Sequence, residues 1–173
     1  YTPIPIVAGK KHPAIKKWTA VNYAHSPNLL EQYCAKYPNA STGILLGHVC
    51  VIDIDVLDTE VAHICRSIVT AKLGDAPCRF GKHPKSALFF RVTGSNFQKL
   101  ATKSYQINGD KAQVEILCDG QQVVVFGTHP DTQKPYYWPD KSLLDIPFAK
   151  LSAVSEVDVK ALLKDLEFEL ASK

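Results

Sequence analysis

Apolar and polar residues along the chain follow two different periods, which predict strands interleaved with helices. Runs of roughly four to eight apolar or alternating residues are typical of strands. Such runs predict five strands, at 43–46, 49–56, 87–92, 113–118 and 121–126. Gly47-His48 and Asp119-Gly120 each separate two neighbouring runs, and each predicts the tight turn of a β-hairpin.

Helical spacing and capping residues predict three helices in the first two-thirds of the chain. Ser26-Pro27 predicts an N-cap followed by the first helical residue, and this helix is expected to end before Pro38. Thr59 predicts the cap of a second helix, which ends at Gly74. A short third helix is predicted at 96–103.

The last predicted helix begins at Ser155, which together with Asp158 three residues later resembles a capping box. One stripe of this helix is apolar and consists of Val159, Leu162, Leu163, Leu166 and Leu170. Together the elements predict a mixed α/β (α+β) fold around a mostly antiparallel sheet. The chain has no internal repeat and no low-complexity linker, so we expect a single domain over 1–173.

Length and composition fit one domain outside the membrane. The 173 residues are 46% hydrophobic, which is enough for a proper core. No apolar run approaches the roughly 18 residues that cross a bilayer. The chain begins at Tyr1 and contains no Met, so we expect it to be the N-terminal part of a longer protein.

The five cysteines predict reduced thiols. They are odd in number, scattered, and never form a C-x-x-C pair: Cys34, Cys50, Cys65, Cys78 and Cys118. This spacing favours a cytoplasmic protein over a disulfide framework or a structural zinc site.

Positive charge is concentrated in two segments, although the net charge is only +3. The segment 76–109 contains no acidic residue and six basic ones: Arg79, Lys82, Lys85, Arg91, Lys99 and Lys103. The segment 1–40 has five lysines against Glu31 alone. This distribution indicates a polyanionic partner such as phosphates or nucleic acid, with a merely solvated basic face as the alternative.

The most informative motif is Val51-Ile52-Asp53-Ile54-Asp55. Side chains alternate along a strand, so Asp53 and Asp55 project to one side, and we expect the Ile and Val side chains to face the core. Two carboxylates at this spacing repel each other unless a cation lies between them, and hard oxygen ligands favour Mg²⁺ or Mn²⁺. The alternative is a polar strand end that faces water.

A third carboxylate, Glu115, is flanked by aliphatic residues in another predicted strand. If the two strands are neighbours, Glu115 completes a two-metal cluster suited to phosphoryl or nucleotidyl transfer. Arg79, Lys82 and Lys85 could then bind a triphosphate. His129, in a loop just after a predicted strand, could contact a phosphate or a sugar.

Taken in order, these segments resemble the archaeo-eukaryotic primase superfamily, and within it the bifunctional primase-polymerase (Prim-Pol) domain of phages, plasmids and integrated elements. The resemblance covers most of the chain. It rests on Pro5-Ile6 with Gly9-Lys10-Lys11 and Trp18, on 42–47, on Asp53-x-Asp55, on Arg79-x-Gly81 through Arg91, on 114–117, and on His129-Pro130 with Tyr136-Tyr137-Trp138.

The resemblance implies an α/β N-terminal module joined to an RRM-like module, with the active site in the cleft between them. It also implies synthesis and extension of primers on a DNA template from NTPs or dNTPs, with Mg²⁺ or Mn²⁺. Asp53 and Asp55 match the first metal motif, Glu115 the third acidic position, and His129 the His-Pro loop near the incoming nucleotide. The nucleotide site would comprise Arg79, Lys82, Lys85, Arg91 and His129, and the template phosphates would lie along Lys10, Lys11, Lys16 and Lys17.

One position departs from the family pattern. The second motif usually ends in a His that contacts the nucleotide phosphates, and the expected position falls near Ala87. Lys85, two residues earlier on the same face, or His83 in the preceding loop could replace it, and we favour Lys85.

Two other functions are compatible with the same residues. A catalytically degenerate module would bind nucleic acid without incorporating nucleotides, and a D-x-D glycosyltransferase would use a nucleotide-sugar, although the chain is short for that. The resemblance further implies a cytoplasmic location in a prokaryotic cell or phage-infected host, and no membrane partner. Whether a replicative helicase is fused to the chain or associated with it stays open.

Overall fold

The computed structural model describes residues 1–173. The chain forms ten strands and three α-helices, in the order β1 (Thr2–Ile6), α1 (Leu29–Lys36), β2 (Ser41–Leu45), β3 (Val49–Asp55), α2 (Thr59–Leu73), β4 (Cys78–Phe80), β5 (Ser86–Val92), β6 (Leu100–Ala101), β7 (Tyr105–Ile107), β8 (Asp110–Leu117), β9 (Gln122–Phe126), β10 (Ala153–Val154) and α3 (Glu156–Ala171). None of the helices has the length and apolar character required to cross a membrane.

The strands form two sheets. The small sheet has the order β1-β2-β9 and is antiparallel. The large sheet has seven strands along the path β10-β5-β3-β8-β6, with β4 paired to β5 and β7 paired to β8. Only the β10–β5 pair is parallel. The predicted mixed α/β class with a mostly antiparallel sheet is therefore confirmed.

Both predicted hairpins are wrong, and for the same reason. Gly47-His48 connects β2 of the small sheet to β3 of the large one, and Asp119-Gly120 connects β8 of the large sheet to β9 of the small one. The two turns lie side by side and are joined by a hydrogen bond, which the Leu46 N–H donates to the Gln121 carbonyl at 2.9 Å. Strand β3 is apolar on both faces, so it needs a second layer of protein that a hairpin partner in the same sheet cannot supply.

The large sheet carries a separate core on each face. Even-numbered residues of β3, such as Ile52 and Ile54, pack with the apolar faces of α2 and α3. Val49 and Val51 pack on the opposite face, against residues of the small sheet such as Val123. The expectation that the Ile and Val side chains face the core is therefore confirmed, with Ile52 and Ile54 in one core and Val51 in the other, on the face that carries the aspartates.

Helix boundaries differ from prediction at several caps. Helix α1 begins at Leu29 with Asn28 as N-cap rather than at Ser26-Pro27, and it ends before Pro38 as predicted. Asp58, not Thr59, caps α2 by accepting a hydrogen bond from the Val61 N–H. The capping box of α3 is present as predicted.

The segment 96–103 is not helical. Its residues Leu100–Ala101 form β6, which pairs with Ile116 and Glu115 on the otherwise open edge of β8. Pairing with this edge satisfies backbone groups of the large sheet, and this non-local contact outweighs the local helical preference.

Candidate active site

The candidate site is built on a row of residues that crosses four strands of the large sheet in register. Asp53 of β3 lies directly opposite Glu115 of β8. On its other side Asp53 faces Ala87 of β5, which in turn faces Arg79 of β4. Directly paired residues of an antiparallel sheet project to the same face. The condition that made Glu115 a candidate ligand, a strand beside that of Asp53, is met.

A cavity of about 300 Å³ opens where this row meets strand β9 of the small sheet. Its charged lining residues are Lys11, Asp53, Asp55, Arg79, Lys82 and Lys85, and these are joined by Gln122, His129, Tyr136 and Gly81. The cavity thus brings together two of the predicted metal ligands and most of the predicted nucleotide-binding residues. Glu115 lies beside it, through its pairing with Asp53.

Two lysines neutralise two of the three carboxylates. Lys85 Nζ lies 2.5 Å from Asp55 Oδ1, and Lys99 Nζ lies 2.7 Å from Glu115 Oε1. In this arrangement no three His, Cys, Asp or Glu side chains converge as a ready ligand set.

Asp53 is the carboxylate left without a lysine. Burial raises the pKa of Asp53, and the charges of Asp55 and Glu115 raise it further, while Arg79 opposes the shift. Burial and repulsion from its two carboxylate neighbours therefore disfavour the ionised form of Asp53. A hard divalent cation would relieve this repulsion, and all three side chains offer only oxygen donors, so the residues fit such a cation.

Arg79 is buried and held in place from two sides. Its Nη1 donates to the Val124 carbonyl on the free edge of β9, and its guanidinium carbon lies 4.6 Å from the centre of the Tyr136 ring. Its Nε atom is buried without a hydrogen-bond partner. Ala87, the residue between Arg79 and Asp53, has no side chain beyond Cβ to separate their charges.

His129 is buried in the loop after β9, with a defined ring orientation. Its Nδ1 accepts hydrogen bonds from the backbone N–H groups of Asp131 and Thr132, at 3.2 and 3.4 Å. Burial lowers the pKa of His129, and the positive charge of Lys11 lowers it further. The imidazole is therefore neutral at pH 7, and its proton lies on Nε2, which is free to donate.

Gly81 allows the His129 ring to lie where it does. A Cβ atom on Gly81 would be 2.5 Å from His129 Cδ2 and 2.7 Å from Tyr136 Cε1. Both distances are too short for real contacts, so a side chain here would displace both rings.

Several predicted residues do not line the cavity. Arg91 lies at the far end of β5, opposite Val49. His83 is exposed and stacks on Phe80 with ring centres 5.4 Å apart, so Lys85 is the one of the two suggested replacements for the family His that reaches the cavity. Lys10, Lys16 and Lys17 are exposed outside it.

Tyr136 and Gln122 line the cavity although neither was assigned to the site from the sequence. Tyr136 was part of the Tyr136-Tyr137-Trp138 signal, but nothing in that run indicates which ring faces inward. Gln122 gave no signal, because a glutamine at a strand end is usually exposed. In the structure its Nε2 donates to the Lys11 carbonyl at 2.7 Å and fixes Lys11 beside the cavity.

The cavity lies where the two sheets meet, and it brings carboxylates and basic side chains together. Residues 2–153 match the family described as Bifunctional DNA primase/polymerase, N-terminal (Prim-Pol), and the chain belongs to this family. The family as a whole implies DNA and nucleotide substrates and nucleotidyltransferase activity. No curated protein matches the chain. Helix α3 lies beyond the matched residues, although its leucines complete the core on one face of the large sheet.

Proposed function

We propose that this chain is a template-directed nucleotidyltransferase that synthesises and extends primers on DNA. The observation that carries the proposal is the pairing of Asp53 with Glu115 beside a cavity that Lys11, Lys82 and Lys85 also line. A nucleoside triphosphate requires both kinds of group at once, because its phosphates need cations from the protein and its metal ions need anions.

Asp53, Asp55 and Glu115 are the residues that would hold Mg²⁺ or Mn²⁺. When bound, a pair of such cations would supply Lewis-acid activation for the primer 3′-hydroxyl and charge stabilisation for the leaving pyrophosphate. The chain's own contribution is to fix the three carboxylates on neighbouring strands at adjoining positions of one face, with Lys85 and Lys99 as counter-ions.

The basic residues divide into fixed and adjustable groups. Arg79 is buried, bonded to the Val124 carbonyl and packed on Tyr136, so it supplies a stationary positive charge to one wall. Lys82 and Lys85 are partly exposed and have flexible stems, so they can follow the phosphates of a bound nucleotide. In this proposal Lys85 supplies the charge that the family His provides at the Ala87 position.

His129 and the N-terminal lysines complete the proposed assignment. The Nε2–H of neutral His129 would donate to a phosphate or sugar oxygen of the nucleotide. Lys11 lines the cavity and would contact the nucleotide or the template next to it. Lys10, Lys16 and Lys17 are exposed nearby in sequence and would contact template phosphates farther out.

A module that binds nucleic acid without catalysis is the second candidate. It is favoured by Ala87 at the expected His position and by the pairing of Asp55 and Glu115 with lysines. It predicts salt-dependent DNA binding without metal-dependent incorporation of nucleotides.

The test supplies labelled NTPs or dNTPs to the purified chain with single-stranded and primed DNA, and with Mg²⁺ or Mn²⁺. We expect primer synthesis or extension by the wild-type chain, and none by the Asp53→Asn, Asp55→Asn double variant. Asp110→Asn is the matched control, since Asp110 is an exposed carboxylate on the same strand as Glu115. Equal incorporation by the double variant would refute the assignment, and DNA binding without any incorporation would favour the second candidate.

A further inference from the structure

A second surface lies on the other side of the backbone that forms one wall of the cavity. Arg79 and Tyr136 face inward, while their chain neighbours Phe80 and Tyr137 line a separate external groove. Phe80 and Tyr137 are bonded to each other through both backbone N–H groups, each at 2.8 Å from the partner carbonyl. Gly81 borders both the cavity and the groove, so the two are one backbone apart.

The groove presents a row of three rings, two of which are stacked on each other. His83 lies on Phe80 at an interplanar angle of 30°, and the Tyr137 side of the row is open, because Tyr137 is 60% exposed. An aromatic ring so exposed has no role in the core, and the pairing with Phe80 holds the backbone of Tyr137 in place. We call Phe80, His83, Lys134 and Tyr137 the outer ledge.

The charge of the outer ledge is positive. Lys134 lines it, and no carboxylate does. The Arg66 guanidinium lies 5.5 Å from the centre of the Phe80 ring and adds a further positive charge beside the row. Flat rings with basic side chains are the combination that binds single-stranded nucleic acid, because bases stack on the rings and phosphates contact the cations.

We propose that the outer ledge binds an unpaired base of single-stranded DNA, which stacks on Tyr137 while the adjoining phosphate contacts Lys134. The choice of DNA as the polymer rests on the proposed function. The inference adds a binding surface outside the nucleotide cavity, and it gives His83 a place in that surface rather than in catalysis.

The test measures binding of a fluorescent single-stranded oligonucleotide to the full chain by anisotropy, without metal or nucleotide. Stacking on an aromatic ring contributes about five-fold or more in affinity per base, so Tyr137→Ala should weaken binding by at least that factor and Tyr137→Trp should preserve it. Phe168→Ala is the matched control, because Phe168 is 78% exposed on α3 and its removal should change nothing. Lys134→Ala should reduce the slope of log affinity against log salt by about one.

A spectroscopic arm separates stacking from general folding effects. An oligonucleotide containing 2-aminopurine should lose fluorescence on binding to the wild-type chain and keep it with Tyr137→Ala. The inference would be overturned if Tyr137→Ala bound the oligonucleotide with an affinity within two-fold of wild type. It would also be overturned if this variant lost affinity for nucleoside triphosphates alone. A chain that incorporates no nucleotide but binds DNA in a Tyr137-dependent manner would refute the proposed polymerisation and still support the ledge.

Discussion

The ammonium of Lys85 lies 2.5 Å from Oδ1 of Asp55, so the residue proposed for the triphosphate is paired with a residue proposed for the metal. Both side chains are about one-third exposed, and an ion pair of this kind contributes little to stability. Its significance is functional, because a lysine and a divalent cation compete for the same carboxylate oxygen. Binding of a cation at Asp55 would release Lys85 for the phosphates of the substrate.

This competition predicts opposite effects of one substitution on two ligands. Lys85→Met should raise the affinity of the nucleotide-free chain for Mn²⁺ by up to about five-fold, the equivalent of a surface ion pair of about 1 kcal/mol. The same variant should bind nucleoside triphosphate more weakly. Mn²⁺ binding is measured by electron paramagnetic resonance and triphosphate binding by calorimetry. Lys82→Met is the control, since Lys82 lines the same cavity without a carboxylate partner, and it should weaken triphosphate binding alone. Unchanged or weaker Mn²⁺ binding by Lys85→Met would contradict the competition.

Asp53 predicts a conflict between stability and activity. Its raised pKa means that the ionised carboxylate is less favourable in the folded chain than in the unfolded chain. The stability that the neutral carboxyl of Asp53 contributes is fully present below pH 3.8, the ordinary pKa of an aspartate. It is lost as the pH rises through the raised pKa of the folded chain. Asp53→Asn keeps the shape and removes the charge, so it should raise the thermal unfolding midpoint at pH 7 while abolishing metal-dependent incorporation.

The pH dependence of this gain provides the check. The difference in midpoint between Asp53→Asn and wild type should shrink as the pH falls toward 3.8, because the wild-type carboxyl then becomes neutral as well. Asp110→Asn, at an exposed position, should show no comparable gain. A lower midpoint for Asp53→Asn at pH 7 would show that its charge is needed to balance Arg79.

The acidic part of the site could be predicted because it depends on one short-range rule. Alternation along β3 puts Asp53 and Asp55 on the same face, and antiparallel pairing then decides whether Glu115 joins them. The sequence could not supply that register, since it depends on which strands become neighbours. The same limit explains both wrong hairpins: Asp119-Gly120 does form a tight turn, but the strands on its two sides, β8 and β9, belong to different sheets.

The basic part of the site was less predictable, because the charge of a side chain does not show whether it reaches the cavity or another surface. Lys85 directly precedes β5 and Arg91 lies near its other end, and only Lys85 lines the cavity. Tyr136 and Tyr137 are adjacent and chemically identical, and the backbone pairing with Phe80 decides that one is buried and the other exposed. Such choices are made by tertiary contacts that leave no trace in local sequence.

Adding one methyl group at Gly81 is expected to displace the His129 ring that lines the cavity. Gly81→Ala places a Cβ atom 2.5 Å from the His129 ring, so we expect a loss of about 1–3 kcal/mol in the free energy of unfolding and weaker triphosphate binding. Chemical denaturation and calorimetry measure the two effects. Gly120→Ala is the control: it has open space around it and a φ of +68°, so it should cost about 1–2 kcal/mol of backbone strain without affecting triphosphate affinity. Normal triphosphate binding by Gly81→Ala would show that the His129 ring is not needed in its present position.

His129 predicts a distinct dependence of stability on pH. Because its pKa in the folded chain is lowered from 6.5, the stability it contributes is present above pH 6.5 and decreases as the pH falls from there toward the folded-state pKa. His129→Asn should lack this contribution, since its amide oxygen can accept the backbone N–H groups now bonded to Nδ1 but cannot be protonated in this range. Thermal unfolding measured from pH 8 to 5 should therefore show a shallower acid-side decline for the variant, whereas replacing the exposed His25 by Asn should leave the decline unchanged.

The donor function is tested separately: His129→Gln can place an N–H near the position of Nε2 and should retain more triphosphate affinity than His129→Asn. Equal affinities for the two variants would mean that the Nε2–H makes no contact with the substrate, and an unchanged acid-side decline for His129→Asn would mean that another group is responsible for it.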